Sequence, residues 1–402
     1  MNDRKSRAPL PVWLVPLATV LVLAVAAVVL LWLWRWIDGL AMANSKDRAT
    51  AQLDAVKIAA SIVVAGGGVF ALYLAARRQR TQEEELRVRH TELAQRDRTQ
   101  LHAEQDARAR QVTEQYTKAV EQLGHERAAV RLGGLYALER LAQEHHDQRR
   151  PVVSVLCAYL RMPYLDPEEA GADLDTRLRE REVRLTIQRL LREHAHNVPE
   201  LGSDPDPAYW GNDIDVDLTG ATLINFDLAE RRVHPSTKFT RAKFLGDAHF
   251  RETTFTSDAD IDEAEFTHLA FFQEAKFLRL ADFYRTKFRG DTSFGGTRFN
   301  ESSYFVEATF EGTASFSKAE FVFLADFHDA VFEDGAWFDY AAFVNGAGFS
   351  NTAFAQHPDF NDAKVKAADD ALHIWPKGWA PGAPAPDEER DGEWATLAAA
   401  GG

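Results

Sequence analysis

From Phe239 to Val365 a bulky apolar residue, nearly always Phe, returns at alternating intervals of five and six. The series opens Phe239, Phe244, Phe250, Phe255, Ile261, Phe266 and closes Phe349, Phe354, Phe360, Val365. Two residues before each stands a small one, as at Ala242, Ala248, Thr253, Ala259 and Ala264, onward to Ala363. Neither the 3.6 period of a helix nor the period of 2 of an ordinary strand produces this spacing. A short fixed repeat sustained for this long demands a solenoid, in which each unit buries its apolar residue only by stacking on the next. A disordered low-complexity tract is excluded, because regular bulky aromatics are what such tracts lack.

A stretch upstream, Asp217-Leu218-Thr219-Gly220-Ala221-Thr222-Leu223 with Leu228 following, sharpens the pattern. Residues 214–366 resemble the pentapeptide-repeat proteins, whose unit is roughly A-(D/N/x)-(L/F)-x-x. The resemblance implies a right-handed β-helix of square cross-section, with one repeat per side and the small and bulky residues inside. This sequence departs from the family form by one extra residue in every second repeat, which gives an 11-residue double unit and 22 residues per coil. A step of 22 places Phe239 under Ile261, Phe283, Phe305, Phe327 and Phe349, and the other three columns are equally pure. Ring stacking adds about 0.5–1.5 kcal/mol per pair beyond burial, so Phe suits such a ladder. With Leu218, Leu223, Leu228 and Val233 the centres make about seven coils, a rod ~34 Å long at the interstrand spacing.

The rest of the 402-residue chain is long enough for further domains. The single cysteine, Cys157, excludes an internal disulfide framework. A formal net charge of −15 makes the whole protein a poor candidate for gripping nucleic acid phosphates directly. That average hides an asymmetry, since the first 110 residues are Arg-rich and the repeat region is acidic.

The apolar run from Val12 to Trp34 is 23 residues long, enough to span a hydrocarbon core of ~30 Å. Trp13, Trp32, Trp34 and Trp36 fall near its ends, where aromatic belts sit. A cleaved signal peptide competes with this reading, because Ala41-Met42-Ala43 has the small-x-small form. The run is too long for a signal's apolar segment, however, and Arg35 and Asp38 intervene. A second uncharged run, Ile58 to Ala76, contains Gly66, Gly67 and Gly68 and stops at Arg77, Arg78 and Arg80. Small residues in such a helix mark close packing on a neighbour, here the first span. Positive residues cluster before the first run and after the second, while the loop between them is balanced. Residues 1–76 are therefore expected to form a transmembrane hairpin in the cell membrane, with both termini and the repeats cytoplasmic.

Residues 77–112 are almost wholly polar and lack Pro and Gly. Glu83–Arg87, Glu85–Arg89, Glu92–Arg96, Glu104–Arg108 and Asp106–Arg110 fall at i,i+4 with the acid first, the favourable order for a helix. Leu86, Leu93 and Leu101 are sparse, so a solvated helical stalk is expected, with a dimeric coiled coil as the alternative. Residues 113–197 turn amphipathic, with apolar stripes such as Leu132, Leu135, Leu138 and Leu141, and read as a small helical module. Its segment Glu121 to Ala142 is similar to one that precedes pentapeptide repeats in actinobacterial membrane-linked proteins, a resemblance that carries architecture and no activity. Gly133-Gly134 within a helix costs ~1 kcal/mol per Gly relative to Ala, which a close helix crossing would explain. Residues 198–213 read as linker and cap, with Trp210 beginning the cover over the first coil. Residues 214–366 are the repeats, and 367–402 a C-terminal cap (Leu372, Ile374, Trp375, Trp379) followed from Pro376 by a disordered tail. The fold class is thus α plus β-solenoid.

Candidate chemistry is thin. His145-His146 are adjacent and would point about 100° apart on a helix, so they make no chelate. Asp260 and Asp262 flank the inward Ile261, but a calcium turn needs Gly and further ligands. Cys157 has no paired His and reads as a buried thiol. Gly66–Gly68 lies within an apolar span and is no phosphate loop, and no Walker, dinucleotide or Ser-elbow motif occurs. The expectation is of no catalytic, metal or cofactor residues and of a scaffold for an unknown cytoplasmic protein, with a homodimer left open. The alternative is an acidic rod that mimics DNA, since some pentapeptide-repeat proteins protect DNA gyrase. Residues 213–366 carry 26 Asp and Glu against 15 Lys and Arg, yet Lys243, Arg251, Lys276, Arg285 and Lys287 interrupt the negative surface.

Overall fold

The computed structural model describes residues 13–39, 45–167, 174–200, 202–204, 206–367, 372–387 and 390–399. The chain divides into two compact units, Met1–Arg108 and Ala109–Gly402.

In the first unit α1 (Leu14–Gly39) runs beside the beginning of α2 (Ser45–Leu123). Gly66 is the close approach between them, since a Cβ there would lie 2.8 Å from a methyl of Val22. Gly67 and Gly68 face open space. Ala26, Ala55 and Ala59 fill the seam, and Arg48 pairs with Asp38 at 3.0 Å near the helix ends. The second apolar run, the charged stretch and the start of the helical module all lie on α2, with no break at residue 76 or 112. No Pro falls in this stretch to interrupt the backbone ladder.

In the second unit the end of α2 packs with α3 (Ala128–Glu144), α4 (Arg149–Arg161) and α5 (Leu174–His194), a 3-10 turn (His146–Gln148) joining α3 to α4. Leu135, Leu138, Val152, Leu156, Leu160, Val183, Ile187 and Leu191 form their core. Gly134 is the crossing point of α2 and α3, because a Cβ there would meet the Ala119 carbonyl oxygen at 2.7 Å. Buried Arg184 donates to the carbonyls of Leu160 (3.1 Å) and Met162 (2.7 Å) and so satisfies acceptors that the end of α4 leaves without partners.

The repeats form a β-solenoid of about seven coils, each visiting four parallel sheets in turn. Sheet A holds Ala259–Asp260, Ala281–Asp282, Ser303–Tyr304, Leu324–Asp326 and Gly346–Gly348. Sheet B contains the strands centred on Phe244, Phe266, Phe288, Phe310 and Phe332; sheet C those beside Phe250, Phe272, Phe294 and Phe316; sheet D those of Phe255, Phe277, Phe299 and Phe321. Strand pairing confirms the step of 22, with Phe266 opposite Phe288 and Phe299 opposite Phe321. The rings stack along each column nearly parallel, as for Phe294 and Phe316 at 4.9 Å and 4°. Across the interior they meet edge to face, as for Phe283 and Phe294 at 5.4 Å and 85°. Where Thr replaces Ala at the small position its buried hydroxyl donates inward, as from Thr297 to the Phe272 carbonyl at 2.6 Å.

The alternation of five and six has a backbone cause. The five-residue turns, leaving sheets A and C, each hold one left-handed residue, and these recur every eleven positions at Glu252, Glu263, Glu274, Arg285, Gly296, Glu307 and Lys318. The six-residue turns leaving sheets B and D reach the next side with one residue more.

Both ends of the stack are covered. At the first coil the Gln188 carboxamide donates to the Ile224 carbonyl (2.7 Å) and accepts from the Ile224 amide (2.7 Å), standing in for a neighbouring strand. Arg161 donates to the Asp217 carbonyl at 2.7 Å. The cover is thus helical, while Trp210 is buried against His194, ring on ring at 4.4 Å. At the last coil Leu372–Ile374 extends sheet A, and Trp375 and Trp379 pack on Phe360 at 6.0 and 5.4 Å. The tail expected to be disordered from Pro376 onward is instead folded: Trp379–Pro381, Ala385–Pro386 and Glu393–Ala399 are strands, the last antiparallel to Lys364–Lys366. A composition of Pro, Gly, Ala and acids argued for a tail, but the open backbone edge of the last coil supplies partners for it.

Candidate interaction surface

The inward positions of the solenoid are filled by Phe and small residues, so chemistry that varies lies outside. Outward on sheet A stand Asp260, Asp282, Tyr304 and Asp326, with Asp262 beyond Ile261. Burial, and then the neighbouring carboxylates of Asp262 and Asp258, raise the Asp260 carboxyl above its ordinary range; Asp282 is raised likewise by burial and by Asp262 and Asp260. Outward on sheet D stand Lys276, Arg298, Glu320 and Lys364. Arg298 pairs with Glu320 one coil on, and Lys364 with Asp387. Sheet B carries Lys243, Glu265 and Lys287 in successive coils and then the uncharged Thr309 and Val331, with Arg289 bonded to Glu265 at 2.5 Å. Sheet C carries His249 stacked on Phe271 (5.1 Å), Ser293, Ser315 and an exposed Trp337. The acidic excess is therefore not a uniform coat; Asp260, Asp282 and Asp326 mark sheet A, acids recur on the other sides, and Lys276 and Arg298 interrupt them on sheet D.

The residues weighed for chemistry fall in ordinary surroundings. Cys157 is buried and its thiol is pushed up to about 12 by loss of solvent, so it is unreactive. His145 precedes the 3-10 turn and His146 opens it, and both stay outside the core. One grouping that the sequence did not suggest is Glu139, Glu193 and His194, close enough together to hold a metal ion. Its ligand atoms are otherwise engaged. His194 faces the Ala208 carbonyl (2.8 Å) and Glu139 (2.9 Å) through its two ring nitrogens, and Glu193 is held by Arg189 at 3.1 Å. The arrangement clamps α3, α5 and the segment before the first coil together. Spacing could not reveal it, because Glu139 lies 55 residues from His194.

A second histidine pair marks the junction of module and solenoid. His196 is fully buried, with its Nδ1 facing the His234 amide at 3.4 Å, and burial holds its ring well below the usual range, at about 3. His234 is lowered too, mainly by burial, and its Nδ1 bonds the Ser236 hydroxyl at 2.8 Å.

Residues 272–320 match the family model for pentapeptide repeats, in 9 copies. No curated protein and no solved structure matches the chain. The matched segment lies in the middle of the stack, and the same strand register and Phe columns continue through the coils on either side of it. With that match and the solenoid itself, the chain is a pentapeptide-repeat protein.

Proposed function

We propose that this protein is a non-enzymatic interaction scaffold held at a membrane, presenting the outer faces of its solenoid to a cytoplasmic protein. The observation that carries the reading is the interior packed with stacked phenylalanines, which leaves the outer walls as the surface free to vary. A rigid, repetitive wall lowers the ordering cost of binding. The membrane part rests on Pro16–Gly39 and Lys46–Gln79, both long and apolar enough to cross a bilayer. Their side chains are bare, with Leu31 69%, Val64 74% and Leu72 72% exposed, so water would be a poor surrounding for them. Lipid would cover this surface.

Fractionation tests the anchor. After lysis without detergent the full chain should sediment with membranes, and deletion of residues 1–76 should release it; a full chain left in the supernatant ends the proposal. The second reading, DNA mimicry, draws on the acids of sheet A but has Lys276 and Arg298 against it on the adjoining sheet D. Purified full chain added to a gyrase supercoiling reaction should change nothing, and inhibition or protection would favour the mimic.

A further inference from the structure

Sheet C changes character in one coil. Its strand Ala336–Trp337 sets Trp337 outward where the two coils before carry Ser315 and Ser293, and Tyr340 follows on the turn toward sheet D. Trp337 is 45% and Tyr340 53% exposed. The indole lies back over Gly335, where a Cβ would meet its Nε1 at 2.9 Å. Phe271 on the same sheet is covered by His249, but Trp337 has only a serine beneath it and no ring to stack on. Carboxylates stand about the two rings. Glu333 and Asp334 precede Gly335, Asp339 lies between the rings along the chain, and the next coil sets Asp359 beside Trp337 and Asp362 beside Tyr340. Neutral groups donate to them: the Ser317 hydroxyl to Asp339, the Gln356 carboxamide to Asp334 and the Asn361 amide to Asp359. None of these acids forms an ion pair among the described residues. Lys318 stands one coil before Tyr340, and Lys364, beyond Asp362, is held by Asp387.

We propose that this part of sheet C docks an arginine-bearing segment of a partner protein, the rings receiving the guanidinium plane and the carboxylates its charge. The inference rests on the reading of the outer walls as the binding surface, and it names the wall and the partner's chemistry. A guanidinium stacks on an aromatic face and forks onto a carboxylate, so a site that offers both favours Arg over Lys. The solenoid already holds one of its own arginines in this way: Arg285 lies over the Tyr284 ring at 4.7 Å and bonds Glu307 at 2.6 Å. At Trp337 and Tyr340 the rings and acids recur, and no arginine among the described residues lies over either ring. An incoming cation therefore has no ion pair to break. Trp, Tyr and Arg are also the residues that dominate interface hot spots. Sheet A offers acids too, but Tyr304 is partly buried and Tyr284 is taken by Arg285. A neutral saccharide could lie on the indole, yet it would leave the carboxylates uncompensated.

The test uses the full chain in detergent micelles and a fluorescein-labelled hexa-arginine peptide, read by fluorescence polarisation at about 0.15 M salt, where diffuse attraction is screened. The peptide should bind saturably, and hexa-lysine more weakly. Trp337→Ser, which restores the residue of the two preceding coils, should weaken binding about tenfold. Asp339→Asn with Asp359→Asn should weaken it by a like factor. Both variants change exposed or partly exposed groups and should keep the wild-type melting curve, which separates lost contact from lost folding. Asp260→Asn with Asp282→Asn removes the same charge from sheet A and should leave binding unchanged. No saturable binding, equal affinity for hexa-lysine, wild-type affinity in Trp337→Ser, an equal loss from the sheet A pair, or displacement of the peptide by maltohexaose would each overturn the proposal. Peptide binding that ignores Trp337 but still saturates would end this inference and leave the scaffold reading standing, and fractionation reads the anchor independently of both.

Discussion

At the residue scale the solenoid asks two different things of its positions. Inward it asks for a ring of one size, and Phe meets that need so regularly that the columns were legible as a period. At the turns leaving sheets A and C it asks for a left-handed backbone, a conformation that costs an ordinary L-residue roughly 1–2 kcal/mol. Only Gly296 and Gly220 show glycine there; Glu252, Glu263, Arg285 and Lys318 carry the same positive φ without it. The sequence therefore hid this feature, because the hydrogen bonds of neighbouring coils impose the turn whatever residue occupies it. His196 is the other residue whose state only packing sets. Its folded pKa is depressed, to about 3, below the unfolded value of about 6.5. Protonation thus favours the unfolded chain. Stability from this site is complete above about pH 6.5 and falls as pH drops below it, toward the folded value. Thermal melts of wild type between pH 7 and 4 should show this loss, and His196→Phe should show a flatter dependence; an identical slope in both would discount the group.

At the element scale the informative contacts are those that stop a sheet. A parallel stack begins with peptide groups that have no coil beneath them, and an unpaired edge invites further strands. Gln188 answers this at Ile224 with both its donor and its acceptor. Gln188→Ala should leave the two buried peptide groups unmet and cost about 1–3 kcal/mol. Hydrogen exchange at the Ile224 amide should quicken, while amides of mid-stack strands such as Phe299 keep their protection. Unchanged exchange at Ile224 would show that the carboxamide is not the cap. Nothing in the spacing of α5 marked Gln188 for this role, since its stripe of Val183, Ile187, Leu190 and Leu191 reads as ordinary helix core. The same physics overturned the expected tail. Residues 379–399 are poor in strand formers, but a waiting edge at Lys364–Lys366 recruits them. Tertiary partners overrode composition.

For the whole molecule, the question is which surfaces meet which compartment. If the two apolar helices insert as their flanking charges direct, the start of α2 at Lys46 faces outward and the repeats inward. In intact cells a membrane-impermeant maleimide should label Lys46→Cys at once and Leu269→Cys only after permeabilisation. The reverse order would invert the topology. The mixture of charge on the solenoid matters at this scale too, since walls that carry Lys276 and Arg298 close to Asp260 and Asp282 favour partners that present both signs.

The sequence alone determined the solenoid, its register and the apolar helices, because each rests on a period or a run that local side chains must satisfy. Packing decided the left-handed turns, the Gln188 cap, the clustering of Glu139, Glu193 and His194, and the folded C-terminal strands. These depend on groups far apart along the chain, whose meeting is settled only when neighbouring coils and helices bring their unpaired backbone and buried polar atoms face to face.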